Sequence, residues 1–379
     1  MIKKKLTILH TESSTGWAGQ EMRIILEARE MKKRGHRIII AAQPGSGIIP
    51  AADREGFEKK IFNMRKKDFI ISVISLMKII AEYRVDIVNT HSSWDSWIAS
   101  IAGRISRFRP AILRTRHLST PVNTGILSRI VYQYLPHLVI TTGDFIRDRL
   151  VNFNRFPGEK IISVPTGVDQ EVFYPRPLNH DLRKTLGIAD DEKAIAAIAA
   201  LRSWKGHDHL LEAAKLLIGR RRGIRFIIAG DGPRYDHLKE KAASLGISDK
   251  VIFLGYRDDV NDILSAIDIA VLPSYANEGV PQAILQAMAM EKPVVSTTAG
   301  SIPEIVRDRE TGVLTEPKNP ASLAEGIELM LDNEDLAKTV ALNARKLIDS
   351  KYSLKHMVLK MEEAYNLIFQ RKHGEMNNG

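Results

Sequence analysis

The chain has 379 residues, 44% of them apolar, enough to bury two cores rather than one. It holds no cysteine, which excludes a disulfide framework, a thiolate metal site and a cysteine nucleophile. The net charge is +10, but residues 1–170 carry 27 Lys and Arg against 15 Asp and Glu, a net +12, while residues 171–379 stand at −2. A basic half beside a neutral one points to an anionic membrane surface, an acidic lipid or a nucleic acid, or simply to a solvated surface with a basic bias. No zinc-finger spacing and no ribonucleoprotein aromatic motif supports nucleic acid. The opening MIKKKLTILH is too short for a signal peptide, and no run of 18 apolar residues follows. The expected location is therefore cytoplasmic, free or peripheral on the inner face of the cytoplasmic membrane.

Apolar strand runs alternate with helical patterns almost from end to end. Strands are expected at 6–9, 38–41, 87–88, 111–114, 138–141 and 161–164, with helices over 20–34 and 70–83. Residues 172–179, with Pro175 and Pro177, punctuate the middle and read as a linker. A second series follows, with strands at 194–200, 225–229, 251–254, 267–272, 294–297 and 312–314. Helices near 206–219, 234–245, 259–266, 281–290 and 321–331 lie between or after them. Such alternation argues for parallel, doubly wound α/β architecture, which binds ligands beyond the carboxyl ends of its strands.

The chemistry-bearing residues gather at those ends. Ser274 to Gly279 follow a strand, and Pro281 suits a first helical turn, where a missing N–H costs nothing. Gln282 to Met290 are strong helix formers. The helix N-terminus over Val280, Pro281 and Gln282, with its free N–H groups, would favour phosphate, with the Glu278 carboxylate beside it for hydroxyls. Arg202 and Lys205 follow another strand, a pairing that by itself is commonplace. Gly230 and Gly232 suit a tight turn. The segment from Gly16 to Gln20 opens a helix after the first strand, and His117 ends the run Arg114-Thr115-Arg116. Trp94 and Trp97 stack on a sugar or lipid headgroup, or pack on the following helix. There is no D-x-D triad and no G-x-x-x-x-G-K-[ST] loop, so a phosphate-loop NTPase is excluded.

The stretch SYANEGVPQAILQAMA resembles the Glu-x7-Glu signature of the family-4 retaining glycosyltransferases of GT-B fold. The resemblance implies two Rossmann-like domains facing a cleft, at 1–171 and 177–354, with a helix near 355–379 packing back on the first. It implies that Glu278 contacts the donor sugar. Gln286 stands where the family has its second, ribose-binding Glu, and still offers an amide acceptor and two donors. Arg202 and Lys205, spaced R-x-x-K-G, resemble the family's R-x-x-x-K-G grip on the diphosphate, one residue shorter. Gly19, Gly230, Gly255, Tyr256, Gly279, Val280, Pro281 and Gln282 fall on its donor-binding loops, and His117 where it touches the sugar. Thr166 to Asp169 resembles its Asn-Gly-Val-Asp turn, with Thr for Asn. The implied activity is retaining transfer from a nucleotide sugar, by expectation a UDP-sugar, to a glycan or lipid-linked acceptor in cell-surface polysaccharide or lipopolysaccharide synthesis. Neither metal nor other cofactor is expected. A nucleotide-sugar 2-epimerase of the same architecture and a non-catalytic nucleotide-sugar-binding protein remain alternatives.

Overall fold

The computed structural model describes residues 4–377 of the chain. It divides into two compact units, 1–166 with 354–379, and 167–353. The first unit holds a seven-stranded parallel sheet: β1 (Thr7–Glu12), β2 (Arg37–Ala42), β3 (Glu58–Ile61), β4 (Ile87–Thr90), β5 (Ala111–Arg116), β6 (Leu138–Thr141) and β7 (Ile161–Ser163). Their spatial order is β3-β2-β1-β4-β5-β6-β7. The order reverses between β1 and β4, the switch point of a doubly wound sheet.

Continuous apolar runs form these strands because both faces are covered. Ile8, Ile38 and Ile40 enter one buried cluster, while the alternate residues Leu9, Ile39 and Ala41 enter another. The final helix, Leu354–Asn377, belongs to this unit. Leu354, Met357, Val358, Met361, Ala364, Tyr365 and Ile368 recur at helical spacing and join the first cluster. Full burial of such a side chain contributes roughly 1.5–3 kcal/mol.

The second unit holds β8 (Lys193–Ile198), β9 (Ile224–Ala229), β10 (Val251–Gly255), β11 (Ile269–Leu272), β12 (Val294–Thr297) and β13 (Val313–Thr315). Their order is β10-β9-β8-β11-β12-β13, all pairs parallel, with the switch point between β8 and β11. Again Ala194 and Ala196 face one cluster, Ile195 and Ala197 the other.

The expected boundaries at 171 and 177 move. The chain changes unit between Thr166 and Gly167, and 172–179 is bound into the second unit. Phe173 N–H donates to the Asp169 carbonyl, Arg176 pairs with Asp262 at 3.0 Å, and Asn179 N–H donates to the Ser265 carbonyl. Pro175 and Pro177 mark irregular backbone, not a break in packing. Six helices have no counterpart in the sequence reading, the longer Ile48–Arg54, Ser93–Ile105 and Glu334–Leu347 and the short Ile126–Arg129, Asp144–Asp148 and His180–Thr185. The strand expected from 267 begins at Ile269.

Candidate active site

In the second unit the loops beyond β8, β9, β10 and β11 lie against one another. Gly206 has φ +76°, and a Cβ there would sit 1.9 Å from the Pro273 carbonyl oxygen, so only glycine lets the β8 and β11 loops meet. Tyr275 N–H donates to the Trp204 carbonyl across the same seam. Gly230, at φ +150°, plays the same part toward the Ala199 carbonyl oxygen, 2.0 Å from its would-be Cβ. Its N–H donates to the carbonyl of Gly255, which joins the β10 loop to the set.

This seam brings Lys205 and Glu278 together. Lys205 Nζ lies 2.7 Å from Glu278 Oε1, which also accepts from Ser274 Oγ at 2.6 Å. Glu278 is buried, and Lys205 is about one-fifth exposed at 19%. Asn277, in left-handed backbone at φ +65°, precedes the carboxylate, a conformation asparagine tolerates better than most residues. Arg202 is exposed, its guanidinium 5.6 Å from the Trp204 ring centroid, and it forms no ion pair among the described residues.

The helix Gln282–Ala289 starts immediately beyond Glu278, Gly279 and Val280. Pro281 is its N-cap, with φ −79° and ψ 128°, not a residue of the first turn as expected from sequence. A proline cap has no side-chain acceptor, so the first N–H groups of the helix are left without a cap bond. Gln286 lies one turn further along, half-buried. Beyond β10, Gly255 takes φ +65° and Tyr256 is exposed, while Arg257 is held by Asp259 at 2.7 Å.

In the first unit Gly19 opens the helix Gly19–Lys33. A Cβ at Gly19 would meet nothing within 4 Å, so the fold by itself does not demand glycine there. The β1 end beside it is filled by the unit's own side chains. Glu12 accepts from Ser14 N–H at 2.6 Å, from Gln20 Nε2 and from Ser92 Oγ. Burial, reinforced by the Asp95 and Glu21 carboxylates, pushes Glu12 up to about 8. Asp95 caps its own helix, accepting from the His91 and Ser92 N–H groups at 2.8 and 2.9 Å. Trp97 packs into a buried cluster, whereas Trp94 is exposed.

His117 is buried one residue past β5, and its Nε2 lies 3.0 Å from His91 Nδ1. His91 Nε2 in turn lies 3.0 Å from His10 Nδ1. Burial holds His10 near 3, and His91 and His117 well below the usual imidazole range. Sequence reasoning assigned no role to His10, His91 or Ser274. The signal for the histidines was their common place at the ends of what become three adjacent strands.

Residues 179–347 match the family described as Glycosyl transferases group 1, and residues 17–172 match Glycosyltransferase Family 4. The chain belongs to the family-4 glycosyltransferases. An uncharacterized glycosyltransferase of Methanocaldococcus jannaschii is 28% identical to this transferase over 240 residues, 61% of this chain and 60% of that protein. A UDP-Gal:alpha-D-GlcNAc-diphosphoundecaprenol alpha-1,3-galactosyltransferase of Escherichia coli is 28% identical over 78% of each chain. Among solved structures, a glycosyltransferase of Rickettsia africae has a TM-score of 0.85 and 26% identity, covering 96% of this chain and 98% of its own. Anabaena HepE in complex with UDP-glucose, at 21% identity and TM-score 0.86, covers 95% and 99% and shares the fold. The transferase thus has two Rossmann-like domains of GT-B type.

Proposed function

We propose that this enzyme moves a glycosyl group from a UDP-sugar to a glycan or lipid-linked acceptor, with retention at the anomeric carbon and without a metal ion. The observation that carries this reading is the Lys205–Glu278–Ser274 cluster at the β8/β11 switch point, beside an uncapped helix N-terminus. Lys205 and Arg202 are assigned to the diphosphate, whose charge grows as the bond from the anomeric carbon to the phosphate oxygen breaks. The first N–H groups of the helix, near Val280, Pro281 and Gln282, are assigned to the same phosphates. Glu278 takes donor-sugar hydroxyls, and Gln286 the ribose. Gly230, Gly255, Tyr256 and Gly279 line the nucleotide, Gly19 approaches phosphate, and His117 touches the sugar. The acceptor hydroxyl attacks from the leaving-group face, and its proton passes to the departing phosphate.

The UDP-sugars named for the Escherichia coli relative and bound by HepE support the choice of donor, and the lipid-diphosphate acceptor of the former supports a cell-surface glycan role. The basic first unit favours docking on an anionic membrane. Arg65, Lys66 and Lys67 are exposed and without ion pairs among the described residues. They precede the helix Phe69–Tyr83, whose open face carries Ile70, Ile71 and Ile74 at 72%, 70% and 48% exposure. Cations beside an open apolar face suit an anionic bilayer. No helix of the described residues is long and apolar enough to cross one.

The test is product analysis with UDP-glucose and other nucleotide sugars, with and without lipid-linked acceptors, in excess EDTA. Glycosylated acceptor is expected. Conversion of donor without acceptor would mean an epimerase, and activity recovered only with Mg²⁺ or Mn²⁺ would overturn the metal-free reading.

A further inference from the structure

The imidazoles of His10, His91 and His117 form one buried chain across three neighbouring strands. His10 lies in β1, His91 one residue beyond β4, and His117 one residue beyond β5. Successive rings are bonded at 3.0 Å, and successive ring centroids are 5.3 Å apart. A neutral imidazole carries one N–H, and each inter-ring bond needs one. His91 can donate through only one nitrogen, so it must accept through the other. All three rings therefore carry the proton on the same nitrogen, all Nδ1 or all Nε2, and the two ends of the chain have opposite polarity.

The ends are not equivalent. His10 Nε2 is buried with no hydrogen-bond partner among the described residues. An orphaned N–H is rarer in protein interiors than an orphaned acceptor. This favours a bare lone pair on His10 Nε2, hence Nδ1–H on His10, on His91 and on His117. The guanidiniums of Arg23 and Arg116 lower the affinity of His117 for a second proton and disfavour a positive end there.

We infer that His10 and His91 are positioning residues that fix His117 as a neutral Nδ1–H donor, suited to an oxygen of an uncharged sugar hydroxyl. A ring so fixed cannot serve as a general base through Nδ1. This deepens the glycosyl-transfer reading and rests on it for the identity of the ligand. Asp95 meets His91 only through the His91 backbone N–H, so its carboxylate does not set the tautomer of the ring.

The test uses the full chain with ¹⁵N-labelled histidine, whose long-range ¹⁵N–¹H couplings report the tautomer of each ring. The expected spectrum shows Nδ1–H for all three histidines, unchanged from pH 8 to pH 5.5. In His91→Phe the bond to His117 Nε2 is gone, and His117 should revert to the Nε2–H form that free imidazole prefers. The Kd of UDP-glucose should then rise about 3–10-fold, the size of one neutral hydrogen bond, while that of UDP stays unchanged. His91→Asn, whose amide can take the place of Nδ1, should keep Nδ1–H on His117 and an affinity within about twofold of wild type. Nε2–H on His117 in the wild type, or an imidazolium forming within that pH range, would overturn the proposal. So would an equal loss of UDP and UDP-glucose binding, or none, in His91→Phe. If that variant fails to fold, the wild-type spectrum and His91→Asn decide. Because the spectra need no substrate, a wrong glycosyl-transfer reading would leave them as expected and show itself only in the product analysis.

Discussion

Both sheets reverse their strand order at one place, and the two places are built differently. At the β1/β4 switch, Glu12, Asp95, Ser92, Gln20 and the histidine chain bond to one another and are buried or half-buried. At the β8/β11 switch, glycines bring bare loops together around a partly open lysine, and an uncapped helix end lies beside them. The first edge is a preset surface whose polar groups are bonded largely to one another, with the His10 Nε2 end of the histidine chain left bare. The second holds charge that can change partner: Lys205 is paired with Glu278 here, and a diphosphate would compete for it. One edge is suited to recognising hydroxyls, the other to absorbing developing negative charge.

Removing the exchangeable charge should have the largest effect. Lys205→Ala should fold normally and still bind nucleotide, because the seam rests on Gly206 and on backbone bonds. Its kcat should fall by about 10²–10³, the usual consequence of deleting one preorganised donor to a leaving group. Steady-state kinetics decide it. A rise in KM with kcat intact would mean equal binding of ground and transition states, and the contrast between the edges would lose its chemical meaning.

The second edge was largely legible in the sequence and the first was not. Gly206, Gly230 and Glu278 sit in short local patterns, and steric demand explains why other residues would not serve at the two glycines. The histidine chain joins positions 10, 91 and 117, whose meeting depends on strand order, and no local pattern encodes that order. The missed elements have physical reasons too. The strand Glu58–Ile61 reads EKKI because it lies at the sheet edge, where charges are tolerated and the apolar signal disappears. The helix Ser93–Ile105 begins with Ser, Trp, Asp and Ser, weak helix formers, and is started by the Ser92–Asp95 capping box. Gln286→Glu restores a carboxylate, and titration with UDP should show tighter binding if the ribose sits there.

A smaller effect is expected at the surface of the first unit. Each lysine near an anionic membrane contributes about 1 kcal/mol, screened over a Debye length. Lys66→Ala with Lys67→Ala should therefore weaken partitioning onto phosphatidylserine-containing vesicles by about 30-fold at low salt. Sedimentation of the protein with such vesicles measures it. Binding to neutral vesicles of the same strength would point to the isoleucine face alone, or to another partner.

The smallest effect, and the sharpest on the comparison itself, concerns pH. Glu12 keeps its proton in the folded state up to about 8, whereas in the unfolded chain it gives it up near 4.5. Burial raises Glu27 and Asp95 in the same direction. Between these limits the folded unit binds more protons than the unfolded one, so its stability falls as pH rises. The lowered His10, His36, His91, His117 and His137 act on the other side. Below about 6.5 they take up protons only in the unfolded chain, and stability falls as pH drops. The first unit should thus be most stable near pH 6.5. Raising the pH from 6.5 to 8.5 should lower its Tm by a few degrees, at about 2–4 °C per kcal/mol. In the second unit burial holds His207 near 4 and lowers Lys292, while Glu192, Asp208 and Asp259 are lowered by their cationic and hydrogen-bonding neighbours, and none of these shifts costs stability between pH 6.5 and 8.5. Trp204 is the one tryptophan of the second unit, so Trp204→Phe leaves Trp17, Trp94 and Trp97 to report the first unit by fluorescence. A Tm for that unit that stays level from pH 6.5 to 8.5 would mean that Glu12 is ionised in the fold, and that the first edge is as open to exchange as the second.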